Sequence, residues 1–175
     1  MADVRERSRE RGPEQETVYD RNLKERNERI RRMRRGRVVL RDRDLTWDMS
    51  RQGRLKFFTD PNSYGDGAAP EDLPALTDFK VFVHEIRSQS GRHRHQGGLV
   101  IYVIQGEGYT VVEGERVDWK TGDLLLLPVR PGGVEHQHFN TGDAPAQWVA
   151  FRFEPFHEAL GDVVEQVVNS PEYDE

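Results

Sequence analysis

The 175-residue chain contains no cysteine, so neither a disulfide nor a thiolate metal site can form. Its longest purely apolar runs are far too short to span a bilayer, and its first residues lack the apolar region of a signal peptide. These absences predict a cytoplasmic protein with no membrane segment. The length suits one domain with attached extensions.

Charge is distributed unevenly between the two parts of the chain. Residues 1–60 hold 18 Lys and Arg against 12 Asp and Glu, a balance of +6, whereas residues 61–175 hold 8 against 19, a balance of −11. Apolar runs lie almost entirely in the second part, so the core is predicted there. The arginine-rich run 29–37 is a pattern that also occurs in nucleic-acid-binding segments. Because acidic residues precede it and the second part is acidic, we expect no nucleic-acid partner. We expect instead an arm that covers its own or a neighbouring subunit.

The first part of the chain divides into a tail, a helix and two short strands. Residues 1–16 are charged, contain Gly and Pro and lack apolar periodicity, which predicts a disordered tail. Residues 17–35 have one narrow apolar stripe, and Gly36 follows at the position of a C-cap. The stripe consists of Tyr19, Leu23, Ile30 and Met33. A stripe this thin predicts a helix that packs on the barrel or on another subunit. Two strand-like pieces follow, at Arg37–Leu40 and Arg54–Thr59.

The second part consists of short strand-like segments separated by turn-forming residues. The candidate strands are Phe79–Ser88, Leu99–Gln105, Tyr109–Val112, Arg116–Trp119, Asp123–Leu127, His136–Phe139 and Gln147–Phe153. Regular short strands with Gly-rich turns are typical of an antiparallel sandwich or small barrel. A short helix is predicted after Pro155. Its apolar side would consist of Phe156, Leu160, Val163, Val164 and Val167.

The sequence therefore predicts an all-β fold, a small antiparallel β-barrel, with an N-terminal helical arm and a short C-terminal helix. The predicted division of the chain is a tail at 1–16, an arm with edge strands at 17–60, a loop at 61–78, the barrel at 79–154, and the C-terminal helix and tail at 155–175.

Four of the six histidines form two His-x-His pairs, His93 with His95 and His136 with His138. Alternate residues of a strand share a face. Each pair can therefore direct two imidazoles into a barrel, where neutral ring nitrogens bind a divalent metal. One pair alone is weak evidence, because exposed histidines at strand ends give the same pattern. Two pairs within one apparent barrel predict a metal site.

The order and spacing of the site residues resemble the two motifs of the cupin family. The first motif is matched by His93-x-His95 and Gly106. The second is matched, in the family's order, by Gly122-Asp123, Pro128, Gly133, His136 and Asn140. This resemblance implies a double-stranded β-helix, or jelly roll. It also implies that His93, His95 and His136 are the metal ligands.

Leu99 stands where the family's usual glutamate ligand falls. Three neutral histidines leave a divalent metal at a net charge of about +2, against about +1 with a carboxylate, which favours an anionic substrate that supplies oxygen ligands. Three-histidine cupins resembling this chain include gentisate and salicylate 1,2-dioxygenases, β-diketone dioxygenase and thiol dioxygenases, and it looks most like the gentisate group. The resemblance implies Fe(II), with Mn, Ni or Zn as alternatives. It further implies a dioxygenase for a small anionic aromatic or oxygen-rich substrate. The narrow stripe of the helix and the opposite charges of the two parts of the chain predict a homodimer or higher homo-oligomer.

Two other functions fit the same residues. A non-oxidative decarboxylase, lyase or isomerase would keep the metal without using oxygen, and a sensor cupin would bind a small molecule without catalysis. Two further side chains are candidates for catalysis. His138 shares the face of His136 and could carry a proton or act as a fourth ligand. Arg130 lies in an enlarged loop, where a guanidinium could clamp a substrate carboxylate, with Arg87 and Arg152 as alternatives.

Overall fold

Antiparallel pairing arranges the strands into two sheets. The computed structural model describes residues 16–60, 68–161 and 164–173. The strands in these ranges are β1 (Asp48–Ser50), β2 (Gly53–Thr59), β3 (Phe79–Ile86), β4 (Arg92–His95), β5 (Val100–Gln105), β6 (Glu107–Val112), β7 (Glu115–Lys120), β8 (Leu124–Leu126), β9 (Val134–Asn140), β10 (Ala146–Phe153) and β11 (Glu165–Val168). The first sheet has the strand order β1-β2-β3-β10-β5-β8, and the second has the order β11-β4-β9-β6-β7.

The core lies between the two sheets, because strands alternate buried and exposed side chains. On β5, Ile101 and Val103 are buried, whereas Val100, Tyr102 and Ile104 on the opposite face are exposed. This alternation is expected of a strand with one face on a core. The largest buried cluster draws on both sheets and consists of Ile86, Leu99, Ile101, Val103, Trp119, Leu125, Leu127, Ala146, Trp148 and Ala150.

Helix α1 (Val18–Arg35) has nearly the predicted boundaries. Thr17 caps its first turn, because the Thr17 hydroxyl accepts a hydrogen bond from the Asp20 N–H and the Asp20 carboxylate accepts one from the Thr17 N–H. Gly36 ends the helix where the chain passes close to the backbone of Ala75. A Cβ at Gly36 would lie 2.8 Å from Ala75 backbone atoms.

The apolar stripe of α1 is exposed. No residue of this helix is buried. Within the described residues, two ion pairs anchor its C-terminal half, Arg29 with Asp78 at 3.2 Å and Arg35 with Glu71 at 3.6 Å. In the part of the chain that the structure describes, the helix buries none of this stripe on its own barrel, and packing on another subunit stays a prediction.

Two predicted elements differ from the structure. Residues Arg37–Leu40 are not a strand, because Arg37 forms only an isolated bridge with Pro74 and no neighbouring strand continues the pairing. The C-terminal helix α2 (Glu154–Ala159) is shorter than predicted. It is followed by Gly161, whose φ of +68° favours glycine. Val167 lies on β11 instead, where a β-branched side chain fits well.

The predicted all-β class, with its N-terminal helical arm and short C-terminal helix, is confirmed. The seven candidate strands are present with shifted ends, whereas β1, β4 and β11 were not predicted as strands. Most of the predicted tail, the first half of the predicted loop and Val163 lie outside the described residues. Among the described helices, none is both long and apolar enough to cross a membrane.

Candidate metal centre

The pairing of β4 with β9 brings three histidines together. His93 lies directly opposite His136 in the register of the two strands. His95 shares the face of His93, because alternate residues of a strand point the same way. All three side chains are buried. Their ring centroids are 4.3 Å apart for His93 and His136, 4.7 Å for His95 and His136, and 5.2 Å for His93 and His95.

Hydrogen bonds determine which ring nitrogen of each histidine is available to a metal. In His93 and His136, Nδ1 lies 3.2 Å and 3.1 Å from the carbonyl oxygen of the residue two positions earlier. In His95, Nδ1 lies 2.6 Å from the Gln96 carbonyl oxygen. A carbonyl oxygen only accepts hydrogen bonds, so each Nδ1 carries the proton and each Nε2 keeps its lone pair. Each histidine offers one ligand atom within 4.8 Å of the others. This donor set fits a divalent metal, and the carbonyl oxygens orient its ligands.

Burial favours the neutral form of four histidines in this region, His84, His93, His136 and His138. Desolvation, followed by the charge of His95, lowers the pKa of His93 to about 4. Desolvation, followed by the charge of His93, lowers the pKa of His84 to about 3. Burial and neighbouring imidazoles likewise hold the pKa of His136 and of His138 well below the ordinary value. A neutral imidazole binds a metal without first losing a proton, so these side chains are ready for a metal at neutral pH.

Two glycines allow the chain to approach the end of β4 closely. A Cβ on Gly97 would lie 1.7 Å from the carbonyl oxygen of Pro128. A Cβ on Gly133 would lie 2.9 Å from the carbonyl oxygen of His95, and the φ of Gly133 is +85°. Larger residues at these positions would push the loop before β9 away from β4. The two glycines therefore keep the histidine-bearing strands in register.

His95 lies on the wall of a cavity of about 370 Å³. The apolar part of the wall consists of Leu55, Phe57, Phe82, Leu99 and Val164. The polar part consists of Ser50, Arg51, Gln52, Lys80, Arg152 and Gln166. Three of these polar residues are cationic and none is acidic. The volume suits a small-molecule ligand, and the lining favours one that carries a negative charge and an apolar body.

Two of the cations are cross-strand neighbours. Lys80 on β3 lies directly opposite Arg152 on β10, and like charges in this arrangement repel. Each cation has an acidic partner: the Lys80 Nζ lies 3.0 Å from Asp60 Oδ2, and the Arg152 Nε lies 3.1 Å from Glu154 Oε1. The Arg152 and Glu154 side chains are only 12% and 16% exposed. Their ion pair is therefore partly shielded from water and stronger than a surface pair.

His138 lies behind the three histidines rather than on the cavity wall. Its ring centroid is 5.5 Å from that of His136 and 4.9 Å from that of Trp148. Its Nδ1 lies 2.7 Å from the hydroxyl oxygen of Thr110, which also accepts a hydrogen bond from the Trp119 indole N–H at 2.9 Å. The ring is thus fixed in the core, next to a histidine of the cluster.

The other predicted site residues lie in different surroundings. Arg130 is exposed, and its backbone N–H donates to the Gln96 side-chain oxygen at 3.2 Å. It does not line the cavity that His95 borders, whereas Arg152 does. Leu99 is 3% exposed and lines that cavity together with His95. Arg94 points away from the histidines, as their alternation requires, and forms ion pairs on the outer face.

Several cavity residues were not recognised in the sequence. Gln166 and Val164 reach the cavity because the C-terminal segment pairs with β4, and no local pattern predicts that pairing. Lys80 could have been found, because it alternates with inward-facing Phe82 and His84 on β3. His157 is also buried, with its ring 6.5 Å from that of His95.

Comparison with known proteins finds a similar domain and a similar fold. Residues 81–152 match the family model described as "Cupin domain". A cupin-like protein from Thermotoga maritima has a similar fold, with a TM-score of 0.50 and 17% sequence identity, over 79% of this chain and 90% of that one. The predicted jelly-roll class is therefore confirmed.

Within that domain, the chain resembles gentisate dioxygenase-like proteins, as its motifs predict. It is 40% identical to a gentisate 1,2-dioxygenase of a Ralstonia species over 58 residues, which are 33% of this chain and 16% of that protein. It is 35% identical to a 5-aminosalicylate 1,2-dioxygenase of a Comamonas species over 79 residues, 45% of this chain and 20% of that protein. The chain thus spans a fifth or less of the length of these relatives.

Alanine in place of His136 is expected to weaken metal binding by more than about 100-fold, because even the outer partners of metal ligands contribute 10- to 100-fold. His93→Ala and His95→Ala should have the same effect. Metal content by atomic emission and affinity by chelator competition would measure it. His84→Gln is the matched control, since His84 is equally buried but lies outside the three-histidine cluster. Full occupancy in folded His136→Ala protein would contradict the ligand assignment.

Stability of the metal-free protein is expected to fall as the pH drops from 7 to 5. The pKa of His84, His93, His136 and His138 is lowered in the folded state. Unfolding therefore takes up protons below the ordinary histidine pKa of 6.5, and each residue contributes up to about 1.4 kcal/mol per pH unit. The stabilisation is complete above pH 6.5 and is lost progressively towards the folded-state values.

Urea unfolding of the metal-free protein at several pH values would measure this effect. His84→Gln should have a shallower pH dependence than the unchanged chain, because it removes one proton uptake. Identical slopes for the two proteins would show that His84 is not held neutral by the fold.

Proposed function

We propose that this chain is a metal-dependent dioxygenase of the cupin type, in which His93, His95 and His136 hold Fe(II). Its substrate would be a small anionic aromatic compound. The observation that carries the proposal is a cluster of three buried histidines, one of which, His95, lines a cavity with cationic and apolar walls. The similarity to gentisate and 5-aminosalicylate 1,2-dioxygenases supports the same reaction class.

The ligand set supports a metal that keeps a high positive charge. Among the described residues, the histidine cluster includes no carboxylate, and Leu99 lines the same cavity as His95. Three histidines leave coordination positions that a substrate can fill with its own oxygen atoms. Fe(II) in such a site would supply the redox chemistry that oxygenation requires. Mn, Ni and Zn are alternative occupants of the same donor set.

The cavity residues would bind and orient the substrate. Arg152 and Lys80 are the candidate partners for a carboxylate, since both face the cavity from adjacent strands. The rings of Phe57 and Phe82 pack against each other with centroids 5.5 Å apart, which gives the cavity a rigid apolar wall. An aromatic acid could place its ring on this wall, its carboxylate near the cations and its remaining oxygens near His95.

The roles predicted for His138 and Arg130 stay predictions. His138 could still hold a proton close to His136, but its bond to Thr110 favours a role in fixing the ring positions. Arg130 would have to approach from the exposed loop before β9 to meet a substrate. Arg152 is the better-placed guanidinium, because it lines the cavity directly.

Oxygen uptake tests the proposed reaction. Protein loaded with Fe(II) under anaerobic conditions is mixed with air-saturated buffer that contains gentisate or 5-aminosalicylate. We expect one O₂ to be consumed per substrate molecule, with no consumption by the His136→Ala or zinc-loaded protein. Binding of either compound without oxygen uptake would contradict the dioxygenase and favour a non-oxidative or sensor role.

Leu99→Glu is expected to tighten metal binding by about 10-fold or more, because it adds a carboxylate ligand beside the three histidines. The same change should weaken binding of an anionic ligand, since it lowers the positive charge of the site. Without metal the buried carboxylate should destabilise the fold, and metal should restore stability. Chelator competition would measure the affinity. Leu99→Gln is the size-matched control and should not tighten metal binding to the same extent. Unchanged affinity in folded Leu99→Glu protein would show that Leu99 does not border the metal.

Arg152→Gln is expected to weaken anaerobic binding of gentisate by about 10- to 100-fold, the usual value of a charge-assisted hydrogen bond. Because the change removes the ion pair with Glu154, the double variant Arg152→Gln/Glu154→Gln separates lost binding from lost stability. Arg92→Gln, on the outer face of β4, removes the same charge elsewhere and should bind gentisate normally. Calorimetric titration would give the affinities. Normal affinity in the double variant would exclude Arg152 as the carboxylate partner.

A further inference from the structure

The outer face of the first sheet is divided into a covered half and an exposed half. Over β2 and β3, the indole of Trp47 lies beneath the Arg54 guanidinium and the Lys56 ammonium, at 4.8 Å and 4.6 Å from the ring centroid. Val83 on this half is buried although it points outward. No comparable cover from the described residues lies over β5, β8 and β10. The same sheet is thus protected by its own chain on one side only.

The exposed half presents a continuous apolar surface, which we call the β5-β8-β10 patch. It consists of Val100, Tyr102, Ile104, Leu124, Leu126 and Phe151, which are between 36% and 65% exposed. Val100 lies in register with both Leu126 and Phe151, and Tyr102 lies in register with Leu124. Directly opposed residues of an antiparallel sheet share a face, so these side chains are immediate neighbours. A contiguous apolar patch without charged members is the usual mark of an interaction surface.

Helix α1 has the complementary surface. Its stripe residues Tyr19, Leu23, Ile30 and Met33 are exposed, although they lie on one side of an amphipathic helix. Helix α1 carries eight Lys and Arg against three Asp and Glu, a balance of +5, so the remainder of the chain has a balance of −10. Asp118 and Asp123 line a cleft beside the patch together with Leu124 and Leu126. An apolar stripe bordered by arginines therefore fits an apolar patch bordered by carboxylates.

The dimensions of the two surfaces also match. An 18-residue helix is about 27 Å long, and the strands of the patch, with six to eight residues in β5 and β10, extend for about 20–26 Å. Contact between two copies of the patch alone would cover roughly 300 Å² per copy, well below the roughly 800 Å² of a stable interface. Reciprocal contacts of two helices with two patches would about double the covered area, to roughly 600 Å² per copy or about 1,200 Å² in total, the lower end of the range for stable interfaces.

We propose that this chain forms a dimer in which α1 of each copy lies across the β5-β8-β10 patch of the other. Each arm remains anchored to its own chain at Gly36 and through the pair of Arg29 with Asp78. The exchanged stripe then buries the apolar surfaces that a single chain leaves in water. This assembly is independent of the proposed enzymatic function, because it uses no residue of the metal centre.

The absence of cysteine allows a direct test by engineered cross-linking. One protein carries Leu23→Cys on the helix, and a second protein carries Leu124→Cys on the patch. One of the two proteins also carries a mass tag, so that a mixed dimer can be recognised by its size. The two proteins are mixed, left to exchange subunits and then oxidised. We expect a disulfide-linked heterodimer of the two variants. Leu23→Cys mixed with Glu115→Cys is the matched control for random collision, because Glu115 is exposed on the other sheet. It should give only background cross-linking.

Each alternative has its own signature. A cross-link that forms only within a double Leu23→Cys/Leu124→Cys chain would show that the arm covers its own patch, and would overturn the proposal. Cross-linking of Leu124→Cys protein only with itself would indicate contact between two patches, with the same consequence.

Light scattering supplies a second readout that does not depend on cysteine. The unchanged chain should be dimeric, Leu126→Asn should shift it towards monomer, and Val39→Asn, which changes an equally exposed valine outside both surfaces, should not. A monomeric unchanged chain would overturn the proposal. His136→Ala should remain dimeric, so failure of the metal site and failure of the assembly can be distinguished.

Discussion

The antiparallel register of β4 and β9 is the constraint on which the site depends. His93 opposes His136 in that register, and a slip of one residue would turn the histidines of one strand to the outer face. Neighbouring strands support this register on both sides, since β11 pairs with the other side of β4 and β6 pairs with the other side of β9. Gly97 and Gly133 allow the adjoining loops to close over the end of β4. The metal centre is thus a property of the sheet and not of a flexible loop.

Much of this centre could be predicted from local sequence. Two His-x-His pairs and the two-residue period of a strand are sufficient to predict that the imidazoles share one face. The spacing of the motif predicts that Leu99 takes the position of the family's usual glutamate. The lining of the cavity that His95 borders could not be predicted from local sequence. Gln166 contacts the site through a pairing of β11 with a strand some seventy residues earlier, which no local pattern encodes. The valines near the C-terminus are compatible with either a helix or a strand. They form a strand here because they pair with β4 at the edge of the second sheet.

Two cations of the cavity have acidic partners, whereas the histidine cluster consists of histidines only. No carboxylate from the described part of the chain belongs to the histidine cluster, so a divalent ion bound by these histidines would keep its full charge. Lys80 and Arg152 each have an acidic partner, which relieves their mutual repulsion while the cavity contains only water. A ligand carboxylate would therefore share these cations with Asp60 and Glu154. Discrimination between anions would then depend on geometry, because a planar carboxylate can match a guanidinium and a spherical ion cannot.

Strand β10 connects this cavity with the proposed assembly surface. Arg152 faces the cavity, and the preceding residue, Phe151, faces outward into the β5-β8-β10 patch. The two side chains alternate on one strand, so an element that packs on Phe151 restricts the backbone that positions Arg152. An arm from a second copy would bury that outer face and reduce the motion of β10. The rigidity of the cavity wall would then depend on formation of the dimer, although the second copy contributes no residue to the metal centre.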